Sequence, residues 1–139
     1  MIVDSIKKGI VIDHIQPAKG VTVLEYLDID LTKETVALIM NATSKKNLRK
    51  DIIKIENVID INLDVIGLVD PGATVNIIED FVIKKKIKLA LPARVENVII
   101  CKNPRCVTSV EVGIPQIFTL VDAEKHEYKC EYCDEIVAF

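Results

Sequence analysis

Two close cysteine pairs, Cys101-x4-Cys106 and Cys130-x2-Cys133, with residues 107–129 between them, constrain this chain more than any other feature. Such spacing lets two loops each present two thiolates to one tetrahedral ion. Ionised cysteines bind Zn²⁺ through sulfur at ~2.3 Å, and a full set of four leaves no position for water or substrate. The predicted site is therefore structural, one zinc held by Cys101, Cys106, Cys130 and Cys133. An iron–sulfur cluster, two disulfides or four unrelated core thiols are the competing uses of such a pattern. Disulfides need an oxidising compartment, and the opening MIVDSIKKG lacks the charged-then-apolar layout of a secretion signal. No apolar run approaches the ~18–20 residues of a membrane span. The expectation is a cytoplasmic chain.

The segment that carries these cysteines is too short to cohere easily by apolar burial, whereas metal binding can supply ~10–16 kcal/mol of apparent folding free energy. The whole chain, at 139 residues with 50% hydrophobic and 28% charged residues, has a globular balance. Aromatics make up only 4%, with no Trp, so the core falls to Ile, Val and Leu, which favour strands. A formal net charge of −3 offers no basic field for gathering phosphate backbones.

Along the chain, the β-branched run Ile10-Val11-Ile12 within residues 2–15 reads as a strand, broken by Gln16-Pro17 and Gly20. Apolar residues at Val21, Leu24 and Leu27 predict a short amphipathic helix. Residues 35–42 and 51–58 read as strands joined by a polar turn over 43–50. A second helix is predicted over 62–69, capped by Asn62 and stopped by Pro71-Gly72. Extended stretches at 74–78 and 81–89 complete the order β-α-β-β-α-β, the ferredoxin-like arrangement. A linker over 90–94 then leads to a small antiparallel β domain with strands at 98–100, 117–120 and 135–139. The expected class is α+β, with an N-terminal domain over 1–92 and a zinc domain over 93–139.

Catalytic chemistry has little to work with. The two His, at 14 and 126, have no evident nucleophile once the cysteines serve a metal, and no phosphate-loop glycine motif exists among five glycines. Asp13-His14 at the end of the first strand could meet a ribose and a phosphate, or could be a surface turn. Lys54 lies in an apolar alternating strand, and Lys84, Lys86 and Lys88 share one strand parity, as a cationic edge or as guards against edge pairing.

Several segments together carry a resemblance across the chain. They are Val3 to Lys7 with Gly9-x-Val11-Ile12-Asp13-His14-Ile15, residues 49–57, Pro71 with Ala73 to Asn76 and Ile78, Leu91-Pro92, Asn97 to Cys101, and Lys129-Cys130-Glu131-Tyr132-Cys133. In this order the sequence closely resembles the regulatory chain of aspartate carbamoyltransferase. The resemblance implies a non-catalytic subunit: a nucleotide-binding allosteric domain, followed by a zinc domain docking on a separate catalytic chain. By matching position it puts the effector pocket on Val3, Asp4, Ser5, Ile6 and Lys7 near the base, and on Asp13 and Lys54 near ribose and base. His14 and Lys86 fall near the phosphates, with Asn76, Ile78, Phe81 and Ile83 completing the wall.

The resemblance further implies CTP and UTP as inhibitors, ATP as activator, and regulatory homodimers bridging catalytic trimers, with no polymeric nucleic acid and no membrane as partner. Phe81 stands where the family commonly has Tyr, Asp4 where it has Glu, and Ser5 where a small apolar residue is common, so contacts to the base edge differ. Arg105 departs at a position often uncharged, beside the catalytic-chain interface. The alternative from another class is a zinc-ribbon nucleic-acid module using Lys84 to Lys88 and Arg105 as phosphate contacts, which predicts salt-steep binding to DNA or RNA.

Overall fold

The computed structural model describes residues 6–45, 48–58 and 60–139. The chain divides into two compact units, Met1–Ala90 and Leu91–Phe139. In the first, strand β1 (Gly9–Ile15) is followed by helix α1 (Gly20–Tyr26), strands β2 (Val36–Thr43) and β3 (Arg49–Glu56), helix α2 (Leu63–Val69), and strands β4 (Thr74–Glu79) and β5 (Val82–Lys88). The strands form one sheet in the order β2-β3-β1-β4-β5, every neighbouring pair antiparallel.

Alternation along β1 and β3 sorts the residues onto two faces. Ile10 pairs with Ile55, Ile12 with Ile53 and with Val75, and all five are fully buried. That face carries the core, together with Val23 from α1 and Ile66 and Leu68 from α2, each 1% exposed or less. Asn62 caps α2 as its sequence predicts, its side chain accepting from the Asp64 N–H at 3.1 Å. The helix expected over 21–27 begins one residue earlier, and the strands reach into the predicted turn from both sides, to Thr43 and from Arg49. Of the long first strand, the lead-in Ile6 to Lys8 is not extended ladder, and Val3, Asp4 and Ser5 lie outside the described residues.

Three β-bulges shape this sheet. In β1 the pairing steps from Ile12↔Ile53 to Ile15↔Asp51, so Asp13 and His14 together oppose one residue, and His14 takes φ 59°. In β2 it steps from Ile39↔Ile52 to Ala42↔Lys50, with Asn41 at φ 56°. In β5 it steps from Lys85 opposite Ile77 to Ile83 opposite Ile78, which leaves Lys84 without a partner in register. The common parity expected of Lys84, Lys86 and Lys88 thus holds only for the last two, opposite Asn76 and Thr74.

Two fully buried carboxylates tie loops to this frame. Asp51 accepts the Gly20 N–H at 3.0 Å and the Asn41 N–H at 2.8 Å, joining the start of α1 to the β2 bulge. Asp70 accepts from Gln16 at 2.7 Å and Gly72 at 3.0 Å. A Cβ on Gly20 would lie 2.8 Å from Asp51 Oδ2, so this approach requires glycine.

The second unit is a four-stranded antiparallel sheet in sequential order: β6 (Arg94–Glu96), β7 (Ile117–Asp122), β8 (Glu127–Cys130) and β9 (Ile136–Ala138), with one short helix, α3 (Val107–Val110), before β7. Its core is the row Val95, Phe118 and Cys130, with Tyr128 beside them and its hydroxyl donating to the Pro92 carbonyl at 2.7 Å. The strand expected at 98–100 is absent. Asn97 turns the chain at φ 60° and its side chain accepts the Gln116 N–H at 2.9 Å, so these residues bend toward Cys101, with Ile99 as the buried anchor. The first strand lies instead at residues 94–96, starting at the last residue of the predicted linker.

Candidate functional site

The four cysteines converge in the second unit: their sulfurs all lie within 4.8 Å of one another. Cys101 and Cys106 flank a loop held by Asn103, whose carbonyl accepts the Cys106 N–H at 3.0 Å and whose side chain accepts the Arg105 N–H at 3.1 Å. Cys130 ends β8, and a tight turn with Asp134 at φ 63° brings Cys133 back toward it. The Cys101–Cys133 and Cys106–Cys130 sulfur separations are 3.6 and 3.8 Å. Disulfide sulfurs lie ~2.0 Å apart, so the arrangement is not two disulfides. It matches sulfurs arranged around one ion.

The environment treats the thiols unequally. Burial pushes Cys101 up to about 12, and burial also raises Cys130. The Thr108 hydroxyl, donating at 3.1 Å, brings Cys106 down to about 7. Four neighbouring sulfurs can all ionise only when a cation offsets their charge, and a bound metal supplies it.

In the first unit, the sheet face away from the core carries most of the other predicted residues that are described. One cross-strand row runs Lys54–Val11–Asn76–Lys86. Neighbours in such a row have Cβ atoms ~4.5–5.5 Å apart, so a small molecule can touch them all. Toward one end lie Ile78 and, opposite it, Ile83, which the bulge at Lys84 turns to this face. Lys7 joins them there, its carbonyl accepting the Phe81 N–H at 3.0 Å. Phe81, at φ 65° in the β4–β5 turn, is 61% exposed. Ile6, by contrast, is 6% exposed and belongs to the core.

Toward the other end sit Asp13 and His14. Lys50 pairs with Asp13 at 2.9 Å, and the His14 backbone N–H donates to the same carboxylate at 2.6 Å. Burial works against the Asp13 charge, but the Lys50 and His14 hydrogen bonds and their nearby charge outweigh it and hold the group below the usual carboxylate range. The His14 ring turns to Thr74, Nδ1 lying 3.0 Å from its hydroxyl, so Asp13 and His14 do not form a carboxylate–imidazole dyad. Asn76 is 8% exposed, and its Oδ1 has no hydrogen-bond partner among the described residues. A buried polar atom without a partner is uncommon in a folded chain, and this one lies in the row that carries Lys54 and Lys86.

Sequence reasoning passed over Lys50 and Thr74 as contributors to this face. The shared parity of Lys50 and Lys54 was the available signal for the first; only the β1–β4 register reveals the second.

This fold and these sites define a class: a binding chain of two units, one presenting a polar sheet face and the other centred on a cysteine metal cluster. Residues 1–90 match the family described as the aspartate carbamoyltransferase regulatory chain, allosteric domain, and residues 93–139 its metal binding domain. The aspartate carbamoyltransferase regulatory chain of Clostridium acetobutylicum is 61% identical over 134 residues, covering 96% of this chain and 92% of the relative. That of Clostridium tetani is 57% identical over 135 residues, covering 96% and 94%, and that of Bifidobacterium longum 52% identical over 135, covering 97% of both. The chain belongs to the aspartate carbamoyltransferase regulatory chain family. It is a regulatory, non-catalytic component of an enzyme, and the nucleic-acid module is not favoured. No helix among the described residues is long and apolar enough to cross a membrane.

Proposed function

We propose that this chain is the cytoplasmic allosteric subunit that binds CTP, UTP and ATP on the outer sheet face of residues 1–92 and docks on catalytic trimers through residues 93–139. The observation that carries the reading is the row Lys54–Val11–Asn76–Lys86, which sets two lysines on one face with the buried, unpartnered Asn76 oxygen between them. His14, Lys86 and Lys50 meet phosphates, Asp13 and Lys54 the ribose and base, and Ile78, Phe81 and Ile83 the flat of the base. Lys7 stands at the base end, where the family resemblance also puts Val3, Asp4 and Ser5. The domain is ferredoxin-like: the order β2-β3-β1-β4 supports this, with β5 added at the edge.

The metal is one structural zinc on Cys101, Cys106, Cys130 and Cys133. Sulfurs at ~2.3 Å from a tetrahedral ion lie ~3.8 Å apart, close to the 3.6 and 3.8 Å separations seen. The exposed apolar residues Val107, Val110 and Val112 beside the cluster support docking on the catalytic chain. β2, an apolar edge strand, supports pairing with a second regulatory chain. Regulation follows from differential affinity: CTP and UTP favour the low-activity assembly and ATP the high-activity one, with coupling of ~1–3 kcal/mol.

Calorimetric titration of the zinc-loaded chain tests this. CTP and ATP compete for one site, and Lys86→Ala weakens both by about tenfold, the loss of one charge-assisted contact. Absence of binding by either nucleotide refutes the pocket and leaves the metal domain standing.

A further inference from the structure

The environment of the Cys106 sulfur singles out one neighbour. Among the described residues, Cys106 alone of the four cysteines accepts a hydrogen bond from a side-chain hydroxyl, that of Thr108 at 3.1 Å. Cys106 is 1% exposed, so water cannot stand in for that donor. Thr108 is itself locally fixed. It is the second residue of α3, whose first turn is closed by the Ser109 N–H to Cys106 carbonyl bond at 2.9 Å and by the Ser109 hydroxyl to the Asn103 carbonyl at 2.7 Å.

We propose that Thr108 is a positioning residue of the metal centre, its hydroxyl donating to the Cys106 thiolate so that the sulfur is aimed at the ion and part of its charge is taken up. The inference rests on the reading that these four cysteines hold one ion. Four thiolates around a divalent ion leave a net double negative charge, and each donor to sulfur offsets part of it. Groups that orient metal ligands in this way typically govern ~10–100-fold in metal affinity.

The test uses the full chain with the metal alone. Zn²⁺ competition against a chromophoric chelator compares wild type, Thr108→Val, which keeps the shape but loses the donor, and Thr108→Ser, which keeps the donor. Thr108→Val binds about tenfold more weakly, and Thr108→Ser regains most of that loss. In the Co²⁺-loaded proteins the sulfur-to-metal charge-transfer band moves to lower energy in Thr108→Val only, a signature that packing alone does not produce. Equal affinity and an unmoved band in Thr108→Val overturn the proposal, as does a Thr108→Ser variant as weak as Thr108→Val. A wild-type chain that binds neither metal overturns the metal reading itself. Where Thr108→Val does not fold, Thr108→Ala carries the same comparison.

Discussion

Removing the Asp51 carboxylate is the most exacting test of how the first unit holds its shape. Asp51 is fully buried, and each of its oxygens serves a different element: Oδ2 takes the Gly20 N–H at the start of α1, and Oδ1 the Asn41 N–H at the β2 bulge. Asp51→Ala leaves two backbone donors without an acceptor. Each buried unsatisfied group costs about 1–3 kcal/mol, and the exposed Asn41 is the one water can reach, so the expected loss is about 2–4 kcal/mol. Asp51→Asn keeps one acceptor and turns an N–H₂ toward the other donor, for about 1–3 kcal/mol. The assay is hydrogen exchange of the β1 and β3 amides at increasing urea, which reads the unfolding free energy of this unit separately from the metal domain. A loss below about 0.5 kcal/mol in Asp51→Ala, the size of an ordinary surface change, refutes the reasoning.

Two further outcomes follow from the geometry. Asp13 is held below its ordinary range when folded, so its contribution to stability is present above its unfolded value near 3.8 and is lost as pH falls through the lower folded value; urea unfolding across this acid range should show a smaller pH-dependent loss in Asp13→Asn than in wild type. Stripping the metal, or Cys130→Ala, should unfold residues 91–139 and abolish association with catalytic trimers while CTP still binds the first unit, as seen by calorimetry and size-exclusion chromatography; retained metal and retained assembly in Cys130→Ala refute the structural role.

Much of this was legible in the chain because it depends on local chemistry. The cysteine spacing foretold the cluster, Asn62 foretold its own cap, and the Ile- and Val-rich alternation foretold the buried face. What escaped depends on register. Asp13-His14 looked like a strand end, yet it is a bulge inside β1, since Ile15 resumes the ladder opposite Asp51. Nothing local marks Ile83 and Lys86 as sharing a face, because their odd spacing argues the opposite. Residues 98–100 have the composition of a strand, but Asn97 and the need to deliver Cys101 to its partners override it, while Glu127–Cys130, which no apolar run announced, pairs through Tyr128 and Cys130 alone on the core side.

The unpaired Lys84 gives β5 a spare letter. Residues on either side of it are read in different phases, so a one-codon deletion there closes the gap while Ile83 stays opposite Ile78 and Lys86 opposite Asn76. A deletion one or two codons further on draws Lys84 into the ladder and moves a neighbouring lysine into the lost place, so the cationic row keeps its chemistry. The proposed effector face thus sits beside a built-in frame adjustment, and changes of length at this edge can be absorbed in a strand where, without the bulge, one lost residue would turn the wall inside out.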